Sequence, residues 1–272
     1  MRTRAVVIGG GNMAEAIIAG ALEAGVIHPA HWTVVDPNEE RRAVFEAWGL
    51  ATEADAHHAL GALEDHAELW LAIKPQVFDA VASGWPDAGP RTVVSIMAGV
   101  PTDALRRRLG AGIRAVRVMP NTPVRVRTGV SAIALGEGSV EEDAALSRRV
   151  FGALGTVVEL HEDLIDAFTG VAGSGPAYLY MVAEAMIRGA VEAGISAADA
   201  DTIVRALFRG ASELMATSER SPGELRVAVT SPGGTTAAGL DVLRERGVEE
   251  AFVRAIEAAR DRGRALGHGP DG

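Results

Sequence analysis

Short apolar runs alternate with amphipathic stretches through the first half of the chain. The runs Arg4 to Ile8, Trp32 to Val35, Leu69 to Ile73, Thr92 to Ile96 and Ala115 to Met119 are brief and rich in branched residues, which predicts buried strands. Between them, Asn12 to Ala24, Glu39 to Trp48, Gln76 to Ala82 and Pro101 to Leu109 carry helical patterns. This alternation predicts a parallel, doubly wound sheet built from βαβ units. Gly129 to Ala134 and Thr156 to Leu160 read as two further strands, with a helix from Val140 to Ala153 between them.

The pattern changes near His161. From Asp163 onward the β-branched runs give way to long helical patterns. Leu164 to Glu192 is apolar almost all round, more than one small domain buries, and it is interrupted at Gly173-Ser174-Gly175-Pro176, where proline and glycine predict a kink or break. Asp199 to Ala216 places Ile203, Leu207, Ala211 and Leu214 on one stripe. Val248 to Leu266 opens with Glu249-Glu250 and ends in arginines, in agreement with the helix macrodipole. We therefore expect two domains, residues 1–161 and 162–272. The second is all-α and buries its faces against another copy of the chain. The tail from Gly267 to Gly272 is expected to be disordered.

Composition narrows the picture. The chain has 272 residues, is 48% hydrophobic and carries a net charge of −10, so it has ample material for two cores. Its one basic cluster, Arg106-Arg107-Arg108, sits on a helical pattern, which argues against nucleic acid. There is no cysteine, and the seven histidines make no ligand spacing, so neither thiolate chemistry nor a metal site is expected. No apolar run reaches membrane-spanning length and no signal peptide fits, so a cytoplasmic protein is the expectation. Lys74 is the sole lysine among 26 basic residues.

Two stretches carry candidate chemistry. Gly9-Gly10-Gly11-Asn12-Met13-Ala14 lies between the first strand and the first helix, a G-x-G-x-x-A dinucleotide fingerprint in its proper context and the mark of a Rossmann-type domain. Gly9 makes the turn, Gly11 admits a pyrophosphate to the backbone, and Ala14 allows close helix–strand packing. Asp36 ends the second strand, where an acid binds ribose hydroxyls and repels a 2′-phosphate. Asn38, Arg41 and Arg42 follow and are placed to hold a phosphate, so preference between NADH and NADPH stays even. Lys74-Pro75, Ala98-Gly99 and Pro120 to Pro123 fall at strand ends around the same crevice. The second stretch, Ser231-Pro232-Gly233-Gly234-Thr235-Thr236, opens a helical pattern from Thr236 to Arg246. Its glycines, hydroxyls and free N–H groups meet at a helix N-terminus, a cradle for a small carboxylate.

With these motifs, Ile73-Lys74-Pro75, Met119 to Pro123 and Gly173-Ser174-Gly175-Pro176-Ala177-Tyr178 in hand, the chain resembles pyrroline-5-carboxylate reductases nearly end to end. The resemblance implies reduction of a cyclic imine to L-proline with NADPH or NADH, an intertwined helical dimer, and assembly of dimers into larger rings. It implies that the imine carboxylate sits on Ser231, Gly233, Gly234 and Thr235, that the Thr236 hydroxyl hydrogen-bonds the ring nitrogen, and that Glu219 lies near the substrate. The cofactor set becomes Gly9, Gly11, Asn12, Met13, Asp36, Lys74, Pro75, Ala98 and Asn121. Asp36 departs from the many relatives that carry a small polar residue or a basic pair nearby, which concerns the coenzyme and not the reaction. A β-hydroxy acid dehydrogenase would use a lysine in the helical half, and none follows Lys74. A different cyclic imine stays open. A non-catalytic NAD-binding sensor would keep the glycine loop without needing Ser231 to Thr236.

Overall fold

The computed structural model describes residues 5–267 apart from 62, 64–66 and 86. Arg4, the expected start of the first strand, and the tail beyond Gly267 lie outside the described residues. The chain divides into two compact units, one running to Ser174 and resuming at Glu257, the other Gly175–Ile256. The composition change at His161 marks where strands end. The division at Ser174 instead follows packing.

The first unit holds an eight-stranded sheet of β1 (Ala5–Ile8), β2 (Trp32–Val35), β3 (Ala51–Glu53), β4 (Glu68–Leu71), β5 (Thr92–Ser95), β6 (Arg114–Met119), β7 (Gly129–Leu135) and β8 (Gly155–Glu159). The order is β3-β2-β1-β4-β5-β6-β7-β8, so the winding reverses beside β1, between β1 and β4. Its helices are α1 (Asn12–Glu23), α2 (Glu39–Glu46), α3 (Ala56–Gly61), α4 (Phe78–Val81), α5 (Thr102–Leu109), α6 (Ala145–Ala153) and α7 (Ile165–Phe168). Every residue of β1 is buried. Val7 packs with Ile17, Ile18, Phe151 and Leu154 on one face, and Val6 and Ile8 pack with Phe78, Leu105 and Leu109 on the other. A strand covered on both faces needs no polar alternation, which is why it reads as an unbroken apolar run.

One expectation is corrected. β7 runs antiparallel to β6, with Val116 opposite Leu135 and Met119 opposite Ala132, so the sheet is mixed. The link from β6 to β7 is a 3-10 turn, Thr122–Val126, closed by Arg127 in the left-handed region at φ 56°. A parallel return needs a crossover of about a dozen residues or more, usually a helix, and this link is too short for one. The sheet is parallel again between β7 and β8.

At the edge of the sheet opposite the glycine loop, Asp143 is only 6% exposed. Burial opposes its charge, but the Val140 N–H, Arg114 and Thr92 donate to it and hold its pKa below the usual value. Glu68 behaves in the opposite way. Burial pushes its pKa from 4.5 to about 7, against a hydrogen bond from Trp70 Nε1 at 2.8 Å, with the Asp143 charge raising it further. A carboxyl whose folded pKa is raised contributes stability below its unfolded pKa and loses it as pH climbs through the folded value. Native stability should therefore fall between about pH 5 and 8. Glu68→Gln keeps an acceptor for Trp70 and should gain about 1–3 kcal/mol at pH 8, with little change at pH 4. Urea melts at the two pH values check this, and an equal effect at both would refute the assignment.

The second unit contains α8 (Gly175–Glu192), α9 (Ala197–Thr217), α10 (Pro222–Ala228) and α11 (Thr235–Glu245) with the first part of α12 (Val248–Gly267). The interruption expected near Gly173 is a π-helical turn, Thr169–Gly173, after which α8 begins at Gly175. Within this unit only Ala200 and Val204 are buried apolar residues among those described. Leu179, Tyr180, Met181, Ile203 and Leu214 are each at least half exposed.

Candidate functional site

The glycine loop follows β1 at the point where the winding reverses, the place where such sheets bind ligands. Gly9 has φ +103°, and a Cβ there would lie 2.7 Å from the Ala72 carbonyl oxygen. Only glycine makes this turn. Gly11 is different, since its φ is −71° and a Cβ would meet nothing within 4 Å. The space above Gly11 is open to solvent, as a phosphate group would need. Among the described residues no side chain caps α1, so the N–H groups of its first turn, at Asn12 and Met13, are available to a ligand. Ala14 is buried against the sheet. These features fit a dinucleotide diphosphate.

Asp36 stands at the end of β2 with both carboxylate oxygens engaged. Oδ2 accepts from the Gly10 N–H at 2.8 Å, and Oδ1 accepts from the Asn38 N–H at 2.9 Å. The next two cations are also engaged. Arg41 Nε donates to the Gly10 carbonyl at 2.7 Å, and its Nη2 meets Glu15 Oε2 at 2.6 Å. Arg42 Nη1 donates to the carbonyls of Asp36 and Pro37. Glu15 lies in the first turn of α1, directly after the fingerprint, and sequence reasoning passed over it.

The other expected cofactor residues follow strands on the same edge. Ile8 pairs with Leu71 and Leu71 with Ser95, so the loops after β1, β4 and β5 emerge side by side. Lys74 is exposed before a 3-10 turn, Pro75–Val77, with no partner for its ammonium among the described residues. Ala98 is half-buried. Asn121 is buried, and its side chain is engaged by the protein. Oδ1 accepts from the Val130 N–H at 2.9 Å, and Nδ2 donates to the Ala172 carbonyl at 3.1 Å. It ties the start of β7 to the π-helical turn.

A second group escaped the sequence. Arg117 is 3% exposed on β6 and pairs with Asp166 at 3.0 Å and Glu162 at 3.7 Å. Glu162 also accepts from the Thr102 N–H at 2.7 Å, capping α5. Separations of 49 and 60 residues leave no local pattern to read.

In the second unit, the Ser231 to Thr236 stretch turns as expected. Gly233 takes φ +69°, and a Cβ on Gly234 would run into the Ser231 hydroxyl. The helix begins one residue earlier than the pattern suggests, at Thr235, with Gly234 as its N-cap and no side-chain cap. Thr235 and Thr236 are exposed, and their hydroxyls are unpartnered among the described residues. The turn therefore offers free N–H groups and free hydroxyls together. Glu219 lies on the exposed link between α9 and α10, with no hydrogen bond to this turn among the described residues.

Comparison with known proteins covers nearly the whole chain. The family model described as pyrroline-5-carboxylate reductase dimerisation matches residues 162–266, and one described as NADP oxidoreductase, coenzyme F420-dependent, matches 4–99. A pyrroline-5-carboxylate reductase of Synechocystis sp. is 37% identical over 96% of this chain and 97% of its own length. One of Thermus thermophilus is 39% identical over 97% and 98%. The crystal structure of the Plasmodium falciparum pyrroline carboxylate reductase with NADP bound superposes with a TM-score of 0.86 at 25% identity, covering 97% of this chain and 98% of that one. Sequence and fold agree across nearly the whole length, and the chain belongs to the pyrroline-5-carboxylate reductase family.

Proposed function

We propose that this protein reduces 1-pyrroline-5-carboxylate to L-proline with NADPH or NADH, the last step of proline synthesis. The observation that carries the reading is the uncapped N-terminus of α11, where glycines, hydroxyls and free N–H groups converge on one turn. The carboxylate of the imine rests on Ser231, Gly233, Gly234 and Thr235, where the helix dipole favours an anion. The Thr236 hydroxyl, at the second helical position, orients the ring nitrogen and draws charge as it becomes an amine. Glu219 completes the substrate side. Gly9, Gly11, Asn12 and Met13 hold the diphosphate, Asp36 the adenosine ribose, and Lys74, Pro75, Ala98 and Asn121 wall the remainder. Bound there, the reduced nicotinamide supplies a hydride to the imine carbon. Positioning and electrostatics provide the rest, and no strongly basic side chain is required.

Residues 1–161 are assigned to dinucleotide binding and 162–272 to substrate binding and dimerisation. Support comes from the composition change at His161 and from the dimerisation family's match starting at 162. A helical unit with so few buried apolar residues needs a second copy to cover its faces, and exposed patches of this kind mark interfaces. Dimers assembling into rings, with active sites shared across the dimer, extend the same reading. The protein works in the cytoplasm, where its imine and reduced coenzyme are drawn from common pools.

Loss of the reduced-coenzyme absorbance with pyrroline-5-carboxylate, and proline as product, is the test of function. Coenzyme binding without turnover would favour another cyclic imine. For the assembly, Leu207→Arg combined with Leu214→Arg should shift the native oligomer to monomer in sedimentation. A native chain that sediments as a fully active monomer at micromolar concentration would refute the interface.

A further inference from the structure

The group built by Glu15, Asp36, Arg41 and Arg42 bears on which coenzyme is used, a question that rests on the reading just given. Asp36 is locked by the Gly10 and Asn38 N–H groups, so a fixed negative charge stands where the adenosine ribose belongs. A 2′-phosphate brings nearly two more negative charges to that place. It is tolerated only if a guanidinium turns to meet it. Arg42 is held on the backbone carbonyls of Asp36 and Pro37. Arg41, five residues beyond Asp36, is turned toward the glycine loop, with Nε on the Gly10 carbonyl and Nη2 on Glu15. The Arg41 and Glu15 side chains are 27% and 25% exposed, so their pairing is partly shielded from solvent. Arg125 approaches the other Glu15 oxygen at 3.9 Å.

Glu15 is otherwise an odd choice. An acid in the first turn suits the macrodipole but opposes a diphosphate bound at the same helix end. Holding Arg41 accounts for it. We propose that Glu15 is a specificity-determining residue: by engaging Arg41 it keeps that guanidinium turned away from the ribose site, and the enzyme binds NADH in preference to NADPH.

Fluorescence titration of NADH and NADPH, without imine, tests this directly. The native protein should bind NADH more tightly. Glu15→Gln removes the charge that holds Arg41 toward the glycine loop and should lower the NADPH Kd by about tenfold relative to that of NADH. Adding Arg41→Ala to that variant should cancel the gain. A native preference for NADPH, or an unmoved ratio of the two Kd values in Glu15→Gln, overturns the proposal. If Glu15→Gln does not fold, Arg41→Ala alone decides. The NADPH-to-NADH ratio should hold, because Arg41 serves Glu15 in the native protein, and a selective tenfold loss of NADPH binding overturns the idea. Because the titration needs no substrate, an enzyme that fails to reduce pyrroline-5-carboxylate yet shows these ratios would refute the reaction and leave the coenzyme assignment standing.

Discussion

Thr236→Ala lowers kcat for pyrroline-5-carboxylate by about 10²- to 10³-fold, the usual cost of removing one hydrogen-bond donor aimed at developing charge. The expectation rests on three features of α11. Gly234 caps the helix without a side-chain bond, so the Thr236 hydroxyl is not consumed in capping. Thr236 is exposed at the second helical position, beside the N–H groups proposed to hold the carboxylate. The turn itself is shaped by Gly233 and by the tight approach of Gly234 to Ser231, so losing a hydroxyl further on leaves it intact. Stopped-flow turnover should show the loss mainly in kcat, while NADH and NADPH Kd values stay within about twofold. Thr236→Ser keeps the hydroxyl and should recover most of the rate. An alanine variant with native kcat/KM would remove Thr236 from the chemistry.

Gly9→Ala and Gly11→Ala should differ in kind, although they alter the same loop. At Gly9 the methyl group would meet the Ala72 carbonyl at 2.7 Å and Ile73 Cγ2 at 2.9 Å, with φ at +103°. Backbone strain and overpacking together cost about 3–5 kcal/mol. The melting temperature should drop by about 10 °C or more, and coenzyme binding should fall with it. At Gly11 the methyl group meets no protein atom and φ is ordinary, so the loss is limited to about 1 kcal/mol of capping preference. Its effect should appear as at least a tenfold weaker coenzyme Kd, because the methyl group fills the space left for the diphosphate. Equal damage to melting temperature in both variants would show that the loop is only a structural turn. Native coenzyme affinity in Gly11→Ala would place the diphosphate elsewhere.

Much of this protein is legible without coordinates, and the reason is local sterics. Gly9 and Gly233 are glycines because the backbone takes positive φ there, a demand met within a few residues. β1, β4 and β5 read as apolar runs because they are covered on both faces. The break near Gly173 follows from glycine and proline chemistry alone, although not its π-helical form. β3 was missed because its three residues, Ala51–Glu53, are exposed or half-buried and carry no apolar pattern. The direction of β7 was missed because it depends on which strand it pairs with.

The sequence by itself determined the glycine loop, most of the succession of strands and helices, the glycine turn at Ser231 to Thr236 and a helical half too apolar to stand uncovered. Each is a matter of backbone sterics, capping or periodicity over short distances. Only the tertiary structure decided that Asn121 is engaged by Val130 and Ala172, that Arg117 is buried between Glu162 and Asp166, and that Arg41 pairs with Glu15. These are pairings between residues far apart in the chain. Charge and polarity say that such groups need partners when buried, but the packing of the sheet and its helices chooses which partners they find.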